Sequence, residues 1–375
     1  MFAPVFSAYA EDAISVAAAY RGDLWRNVQG GVRKGGRYFD DFVARADVDM
    51  DKAVGLAGGT FSVTVLNNNG AHFSDTFVGA AQVISNTETT SAFRLYEAWY
   101  DQHLLDDRLS VRVGLYDLNS EFDAIEPAGL FVNSSHGIGP DFSQSGQAGP
   151  SIFPVTSLAA RVHWHVTDSL LLRLAVLDGV PGDPAHPKRT AIKLGKGDGA
   201  LIAGEAEMQF LGSTIALGAW GYTAAFDDLA AVDPLTGLPI KRGDNRGAYV
   251  EADRRIMEGD EEGEGLSVFA RFGVAEGRIN TFGSYVGAGA VYDGIVRDTS
   301  VGFAVASAAT GKTYRQVVAA EKRETILEAT MRTQITPWLA LQPDVQYIIN
   351  PSADPTLRNA LAVGLRFEIS GAASF

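Results

Sequence analysis

Hydrophobic and polar residues alternate with a period of two along most of the chain. The segment RLSVRVGLY (108–116) places leucine and valine on one side and serine, arginine and glycine on the other. The segments FVARADVDM (42–50) and LAARVHWHV (158–166) alternate in the same way, as do residues 361–369. This alternation is typical of β-strands that have one apolar face and one polar face. The pattern therefore predicts an all-β chain.

The connections between the predicted strands are alternately short and long. Candidate tight turns lie near residues 104–108, 167–169, 211–213 and 336–337. Long polar connections lie near residues 69–90, 118–155, 179–198, 226–245, 307–321 and 350–358. Short turns at one end and long loops at the other are typical of a transmembrane antiparallel up-and-down β-barrel. We count about sixteen strands of roughly ten residues, the length that a tilted membrane strand needs.

A soluble β-sandwich or propeller is the competing architecture, and two observations favour the membrane barrel. Many polar strand faces carry arginines opposite carboxylates, which suits a confined lumen better than open water. The chain also ends in Phe375. A terminal aromatic residue after an alternating last strand is typical of bacterial outer-membrane proteins. The last strand is imperfect here, because SGAAS separates Ile369 from Phe375.

Composition excludes several other classes of protein. The chain has no cysteine, so it has no disulfide, thiol nucleophile or thiolate zinc site. A formal net charge of −14 argues against binding nucleic acid or an anionic surface through a basic patch. No apolar run reaches 18 residues, so no segment of the sequence is suited to a transmembrane helix.

The N-terminus indicates a processing segment. Residues 8–10 (AYA) resemble a signal-peptidase site after a short apolar piece, although a positively charged start is missing. We interpret residues 1–10 as the remaining part of a signal peptide. A frayed N-terminus is the alternative. Residues 11–375 are then predicted to form a single barrel domain.

Several long stretches resemble the carbohydrate-selective porin (OprB) family of Gram-negative outer membranes. They are RLYEAWYDQ (94–102), LSVRVGLYDLNSEFD (109–123), AGLFVNSSHGIGPDFSQSGQAGPSIFPVTSLAARV (128–162), LLLRLAVLDGVPGDP (170–184), TPWLALQPDVQYIINPSADP (336–355) and NALAVGLRFEI (359–369). They cover roughly a third of the chain, in family order and at family-like spacing, whereas residues 226–320 match less clearly. The resemblance implies a sixteen-stranded barrel through which sugars diffuse across the outer membrane.

The resemblance also implies a role for the glycine- and proline-rich segment 118–155, which is long for a compact domain. It would be the loop after the fifth strand, folding into the lumen and narrowing the pore. Its glycines let the backbone pass close to the wall, and its polar side chains can bond to wall residues. Those side chains are Asp141, Ser143, Gln144 and Ser145. An ordered surface loop that stays outside the pore is the alternative.

Strand alternation brings a set of charged side chains to the predicted inner face. They are Arg45, Asp47, Asp49, Glu97, Asp101, Arg112, Arg161, His163, His165, Arg173, Glu205, Glu207, Glu251, Asp253, Arg255, Glu328, Arg332, Arg366 and Glu368. An arginine fork can bridge two sugar hydroxyls, and a carboxylate accepts from them. A pore selective for sugars should bind them weakly enough to release them.

The candidates for the constriction are those on or beside the predicted inner loop. They are Arg45, Asp47, Glu97, Trp99, Arg112, Glu121 and Asp123. For each charged residue the alternative is a lumen salt bridge that solvates the wall. Trp99 is a candidate for stacking on a sugar ring, or a tryptophan that packs against the wall.

The sequence therefore predicts a passive sugar porin without cofactor or catalysis. A general or anion-preferring porin, a barrel enzyme and a soluble β-rich binding protein remain as alternatives. His163 and His165 share a strand face as a metal site would need, but no third ligand is evident, so we predict no metal. The expected partners are monosaccharides, outer-membrane lipid and lipopolysaccharide, and no nucleic acid. The sequence does not determine the oligomeric state, and a homotrimer and a single barrel remain as alternatives.

Overall fold

Antiparallel strands account for most of the chain. The structure is a computed structural model that describes residues 12–70, 72–259, 263–296 and 298–375. Its strands, in chain order, are β1 (Ile14–Gly31), β2 (Gly35–Asp49), β3 (Gly59–Asn69), β4 (Ala92–Leu104), β5 (Leu109–Tyr116), β6 (Ser157–Thr167), β7 (Leu170–Asp178), β8 (Ala200–Phe210), β9 (Ser213–Tyr222), β10 (Phe226–Val232), β11 (Pro239–Arg242), β12 (Arg246–Glu258), β13 (Gly265–Ala275), β14 (Phe282–Val296), β15 (Thr299–Thr310), β16 (Arg323–Thr336), β17 (Leu339–Ile349) and β18 (Arg358–Ser374).

Sixteen of these described strands close into one barrel, in which β1 pairs with β18. Strands β10 and β11 form a separate hairpin in the connection between β9 and β12. Because the barrel is closed, none of its strands presents an unpaired edge. The predicted all-β fold and the number of strands are confirmed.

The two ends of the barrel differ as the sequence predicted. Short turns lie at one end of the barrel, at residues 105–108, 168–169, 211–212 and 337–338. Longer connections lie at the other end, which we call extracellular because outer-membrane barrels carry their long loops there. Short helical pieces are confined to the connections: α1 (Met50–Val54), α2 (Pro140–Ser143), α3 (Tyr314–Val317), a π turn (Ser74–Val78) and 3₁₀ turns at Leu118–Ser120, Pro127–Leu130, Ser134–His136 and Pro351–Ala353.

No helix within the described ranges is long and apolar enough to cross a membrane.

Side chains alternate between the two faces of the barrel wall. Val113, Trp164 and Leu174 are exposed on the outer surface. Their neighbours along the strands include Arg112, which precedes Val113, and Arg173, which precedes Leu174, and both arginines lie on the inner side in ion pairs. The outer face is therefore apolar and suited to contact lipid, while the lumen is polar, as expected for a membrane barrel.

Two extracellular loops fold into the barrel. We call residues 72–91 the first inner loop and residues 117–156 the constriction loop. The constriction loop was predicted to fold inward, and this is confirmed: it starts at β5 and reaches Arg271 on β13 and Glu328 on β16. The first inner loop was predicted as a polar connection, but its Phe73 and Ile84 are fully buried in a cluster with residues of the wall.

The inner wall behind these loops is built from small residues. Ala304, Ala306 and Ala308 on β15 are fully buried beneath the inner loops. A Cβ atom added at Gly302 would lie 2.7 Å from a ring carbon of Phe131 in the constriction loop. Because protein interiors are close-packed, larger side chains on this wall would displace the loops. The small residues therefore determine where the loops can lie.

The signal-peptide interpretation of residues 1–10 lies outside the described residues. The assignment of residues 11–375 to a single domain stays a prediction.

Candidate pore constriction

Three charged residues form one row across the inner wall. In the strand register Asp101 on β4 lies opposite Arg112 on β5, which in turn lies opposite Arg161 on β6. The Nε atom of Arg112 and the Nη2 atom of Arg161 both donate to Asp101 Oδ2, over 2.9 Å each. The Ser110 hydroxyl donates to Asp101 Oδ1 over 2.6 Å. Sheet pairing therefore holds two guanidinium groups around one carboxylate.

Glu121 of the constriction loop completes this cluster from above. Its Oε1 atom accepts from Arg161 Nη2 over 2.8 Å and lies 3.3 Å from Arg112 Nη1. The Tyr116 hydroxyl donates to Glu121 Oε2 over 2.7 Å. Burial raises the pKa of Glu121, but Arg112 and Arg161 outweigh burial, and the pKa lies below its ordinary value of 4.5. The carboxylate is thus ionised at neutral pH and ties the loop to the wall.

Trp99 supports Arg112 from below. The guanidinium carbon of Arg112 lies 3.8 Å from the centre of the Trp99 ring, and that of Arg45 lies 5.3 Å from it. Gly114 lies opposite Trp99 in the neighbouring strand at a φ of 140°, and an added Cβ would lie 2.9 Å from Trp99 Cβ. Glycine at this position therefore allows β5 to approach the backbone of β4 closely at Trp99. The Trp99 side chain is covered, with 4% of the residue exposed.

Arg45 and Asp47 lie on β2 beside this cluster. Arg45 Nε donates to Asp47 Oδ1 over 2.8 Å, and the side chains are 29% and 26% exposed. Glu97 on β4 is buried and accepts from the backbone N–H of Asp117 over 3.1 Å. Arg45 and Asp47 are thus open to the lumen, whereas Glu97 holds the start of the constriction loop.

Asp123 lies on the opposite side of the lumen. Both of its carboxylate oxygens accept from Arg271 of β13, over 2.6 Å each. Arg271 also donates to Asp141 Oδ1 over 2.8 Å. The backbone N–H of Asp123 donates to Glu205 Oε2 over 2.9 Å. Because Asp123 is only 1% exposed, its carboxylate anchors the loop and is not open to the lumen.

The constriction loop makes further bonds to the far wall. Glu328 Oε1 accepts from the backbone N–H of Val132 over 2.6 Å, and Gln342 Nε2 donates to the Leu130 carbonyl over 2.7 Å. The Tyr285 hydroxyl donates to the Ser135 carbonyl over 2.8 Å. These bonds span the barrel from β5 to β17. The loop therefore lies across the lumen at a fixed position.

Comparison with known proteins identifies the fold and the family. The family model of the carbohydrate-selective porin, OprB family matches residues 33–370, which is most of the chain. The chain belongs to this family. It is therefore an outer-membrane, carbohydrate-selective porin of a Gram-negative bacterium, and a channel, not an enzyme.

Individual relatives agree with this assignment. Porin B of Pseudomonas aeruginosa is 25% identical to the chain over 394 aligned positions, which cover 93% of the chain and 86% of that protein. The high-pH structure of Pseudomonas putida OprB has a TM-score of 0.83 at 21% identity, covering 96% of the chain and 94% of that structure. The outer membrane channel DcaP of Acinetobacter baumannii shares the fold at a TM-score of 0.58 and 9% identity, covering 98% of the chain and 99% of DcaP.

Most candidate residues of the porin lie in one place. One group lies on the wall and meets Glu121 of the constriction loop: Arg45, Asp47, Glu97, Trp99 and Arg112. Asp123 lies across the lumen from this group. The predicted bonding of loop side chains to the wall is seen for Asp141 and for Ser145, whose hydroxyl lies 3.1 Å from that of Tyr222. Their role in sugar binding stays a prediction.

Sequence reasoning missed the partners that complete the site. Arg271 was not singled out because it lies in the segment 226–320, which resembles the family less clearly. Its position in the alternating segment ARFGVA (270–275) is the signal that could have found it. Tyr116 was missed because its bond to Glu121 depends on the fold of the loop. The Nε2 atoms of His163 and His165 lie 3.3 Å apart, and the described residues contain no cluster of three side chains suited to a metal ion.

Proposed function

We propose that neutral monosaccharides pass by passive diffusion between the constriction loop and the wall formed by β2 and β4–β6. The observation that carries this proposal is the balance of charge in this cluster. Arg45 is paired with Asp47, while Arg112 and Arg161 are paired with Asp101 and Glu121. These ion pairs therefore contain three cations and three anions. Such a waist supplies donors and acceptors to a polyol and no net attraction for an ion.

Partial exposure determines which groups contact a sugar. The Arg112 and Glu121 side chains are 15% and 17% exposed, and Arg45 and Asp47 are more open. A guanidinium edge donates two parallel hydrogen bonds, and a carboxylate accepts from neighbouring hydroxyls. We assign the contacts with sugar hydroxyls to these four side chains. Since each group already has a protein partner, a sugar exchanges bonds instead of gaining new ones, which favours rapid release.

The remaining candidates support these contacts. We assign to Trp99 the positioning of Arg112, because the guanidinium carbon lies over the indole ring, 3.8 Å from its centre. Glu97 and Asp123 hold the two ends of the segment that carries Glu121. In this proposal they determine the width of the waist, and neither touches the sugar.

The test is single-channel conductance in a planar bilayer, with glucose titrated against the salt current. The wild-type porin should show saturable block, and Arg112→Ala should weaken that block about tenfold through loss of a charge-assisted hydrogen bond. Arg332→Ala is the matched control, because Arg332 is also an inner arginine, paired with Glu368 over 3.0 Å on a different part of the wall. Its block should stay within about twofold of wild type.

The alternatives give different results in the same experiment. A general pore would conduct without saturable block by glucose. An anion-preferring pore would show a reversal potential shifted towards that of chloride under a salt gradient. Either result would contradict selection for neutral sugars while leaving the porin family unchanged.

We infer that phospholipid and lipopolysaccharide surround the barrel, since its outer face carries exposed apolar side chains such as Val113 and Leu174. The homotrimer stays a prediction. Native mass spectrometry in a mild detergent distinguishes it from a lone barrel.

A further inference from the structure

A cavity of about 490 Å³ lies at the extracellular rim of the wall. It forms where the connection between β13 and β14 meets the connection between β15 and β16. Gly277 and Gly311 allow the close approach, because a Cβ atom added at Gly311 would lie 3.0 Å from the Gly277 carbonyl oxygen. The cavity is separate from the constriction, whose ion pairs lie on β2 and β4–β6.

The floor of this cavity faces outward, away from the lumen. Ser284, Ala309 and Arg323 line it and are paired neighbours in one row across β14, β15 and β16. Each precedes or follows a residue buried on the inner side, such as Ala308 and Glu324. Since neighbouring residues of a strand point to opposite faces, the cavity opens on the outer surface at the level of the extracellular rim.

The cavity is lined by an excess of positive charge in a chain whose net charge is −14. Its charged residues are Glu276, Arg278, Lys312, Arg315, Lys322 and Arg323. Arg278 is neutralised by Glu276 over 2.8 Å and by Asp244 over 2.5 Å. The other four cations have no carboxylate within 4.0 Å among the residues that the structure describes. Four positive charges therefore line the cavity without a paired carboxylate in the part of the chain that the structure describes.

Arg315 is held in place within this group. Its Nη1 atom donates to the hydroxyl of Thr310 over 2.8 Å and also bonds the Thr310 carbonyl oxygen. Holding a guanidinium group in advance lowers the entropy lost when it binds an anion. Lys312, Lys322 and Arg323 are exposed around it. The group thus combines one fixed donor with three adaptable charges.

An apolar strip continues from the cavity down the outer wall. Below the row of Ser284, Ala309 and Arg323, the next outward rows are Val286, Ser307 and Thr325, then Ala288, Val305 and Leu327, and then Ala290, Phe303 and Ala329. Val286 and Phe303 are exposed on this face. The hydroxyls of Ser307 and Thr325 bond each other over 2.9 Å, which satisfies them in an apolar surrounding. The strip is therefore suited to hydrocarbon chains.

We propose that this cavity binds the phosphate of a phosphorylated glycolipid of the outer leaflet, lipopolysaccharide, whose acyl chains lie along β14–β16. Arginine and lysine together are the side chains that recognise a phosphate monoester. The apolar strip directly below the cations favours an amphiphile over a free phosphate ion, because a free ion has no apolar part that could contact the strip. The site does not depend on which solute crosses the pore.

The test uses the whole porin refolded in detergent without lipopolysaccharide. Native mass spectrometry measures the bound fraction as deep-rough lipopolysaccharide is titrated. The variant Lys312→Ala/Lys322→Ala/Arg323→Ala removes three charges from the cavity. The matched control Lys188→Ala/Arg189→Ala/Lys196→Ala removes three exposed charges from the connection between β7 and β8. The cavity variant should bind at least about tenfold more weakly, and the control should stay within about twofold of wild type.

The chemical source of the phosphate is tested in the same assay. Dephosphorylated lipopolysaccharide should bind the wild type about tenfold more weakly and should bind the cavity variant with little further loss. Inorganic phosphate and the phosphorylated disaccharide without acyl chains should compete poorly. Equal binding by both triple variants, or full competition by inorganic phosphate, would overturn the proposal. Unchanged glucose block and heat-modified gel mobility show that each variant is folded, and they separate this result from the test of the pore.

Discussion

Replacing Arg271 by methionine is expected to release the constriction loop from the wall. Arg271 donates to Asp123 over 2.6 and 2.6 Å and to Asp141 over 2.8 and 3.3 Å, and all three side chains are buried. Its removal leaves two buried carboxylates without a counter-ion. Breaking a buried ion pair in this way costs about 3–5 kcal/mol. That is roughly two to three and a half orders of magnitude in the equilibrium between docked and released loop.

The barrel itself should survive the Arg271→Met substitution, because its strands are paired independently of the loop. We expect a larger and noisier single-channel conductance, together with weaker block by glucose, since the loop segment that carries Glu121 would lose its anchor at Asp123. Limited proteolysis should cut between Asp123 and Asp141 in the variant faster than in the wild type. Heat-modified gel mobility reports whether the barrel is intact.

Two further variants test the electrostatic reasoning. Arg271→Lys keeps a positive charge but loses the planar fork, so its conductance should lie between those of wild type and Arg271→Met. Arg271→Met combined with Asp123→Asn and Asp141→Asn removes all three charges and should recover much of the native conductance, because no buried charge is left unpaired. Native conductance and native glucose block in Arg271→Met alone would refute the reasoning.

Three further predictions follow from other contacts. Trp99→Ala should weaken glucose block by roughly 3- to 30-fold, because the cation–π contact with Arg112 is lost. Trp99→Phe should retain most of the glucose block. Glucose block in Trp99→Ala equal to that of the wild type would contradict the positioning role. Since the folded-state pKa of Glu121 lies below its ordinary value of 4.5, its ion pairs stabilise the loop fully above about pH 4.5 and are lost as the pH falls through the lower folded value. Glucose block measured against pH should therefore fall on acidification below that point, and a Glu121→Gln variant should lack this transition. Gly302→Leu should destabilise the packed loop by about 1–3 kcal/mol through overpacking, which would lower the midpoint of thermal unfolding. Gly371→Ala is the control and should leave this midpoint unchanged, because no atom lies within 4 Å of the added Cβ.

The sequence was informative about features that depend on residues close together in the chain. Period-two alternation depends on each residue and its neighbours, so it located the strands and the inner position of Arg112 and Arg161. Turn residues such as those at 211–212 are also local signals, and they identified the end of the barrel that carries the short turns. The quoted stretches that resemble the family located the constriction loop, which periodicity alone could not do.

The contacts that complete the site are not local. Arg271 meets Asp123 and Asp141 only because the barrel closes and the loop crosses it, and no pattern within either segment encodes that distance. The burial of Phe73 and Ile84 in the first inner loop was missed for the same reason. A usable signal did exist, since Ala304, Ala306 and Ala308 place alanines on the inner face of a strand whose counterparts elsewhere are charged. A wall without large or charged side chains indicates that something else fills the space beside it.

The two halves of the barrel wall have different roles. On β15–β18 the inner side chains are mostly small or bonded to the loops, as for Ala306, Glu324 and Glu328, so this side serves as a foundation. On β2 and β4–β6 many inner side chains are charged, and those of Arg45, Asp47 and Arg112 are partly open. A descendant of this porin could therefore acquire a new solute through changes at Arg45, Asp47 or Arg112 without disturbing the foundation. Because of this asymmetry, substitutions on one half of the barrel can change the preferred solute while the opposite half holds the shape of the passage.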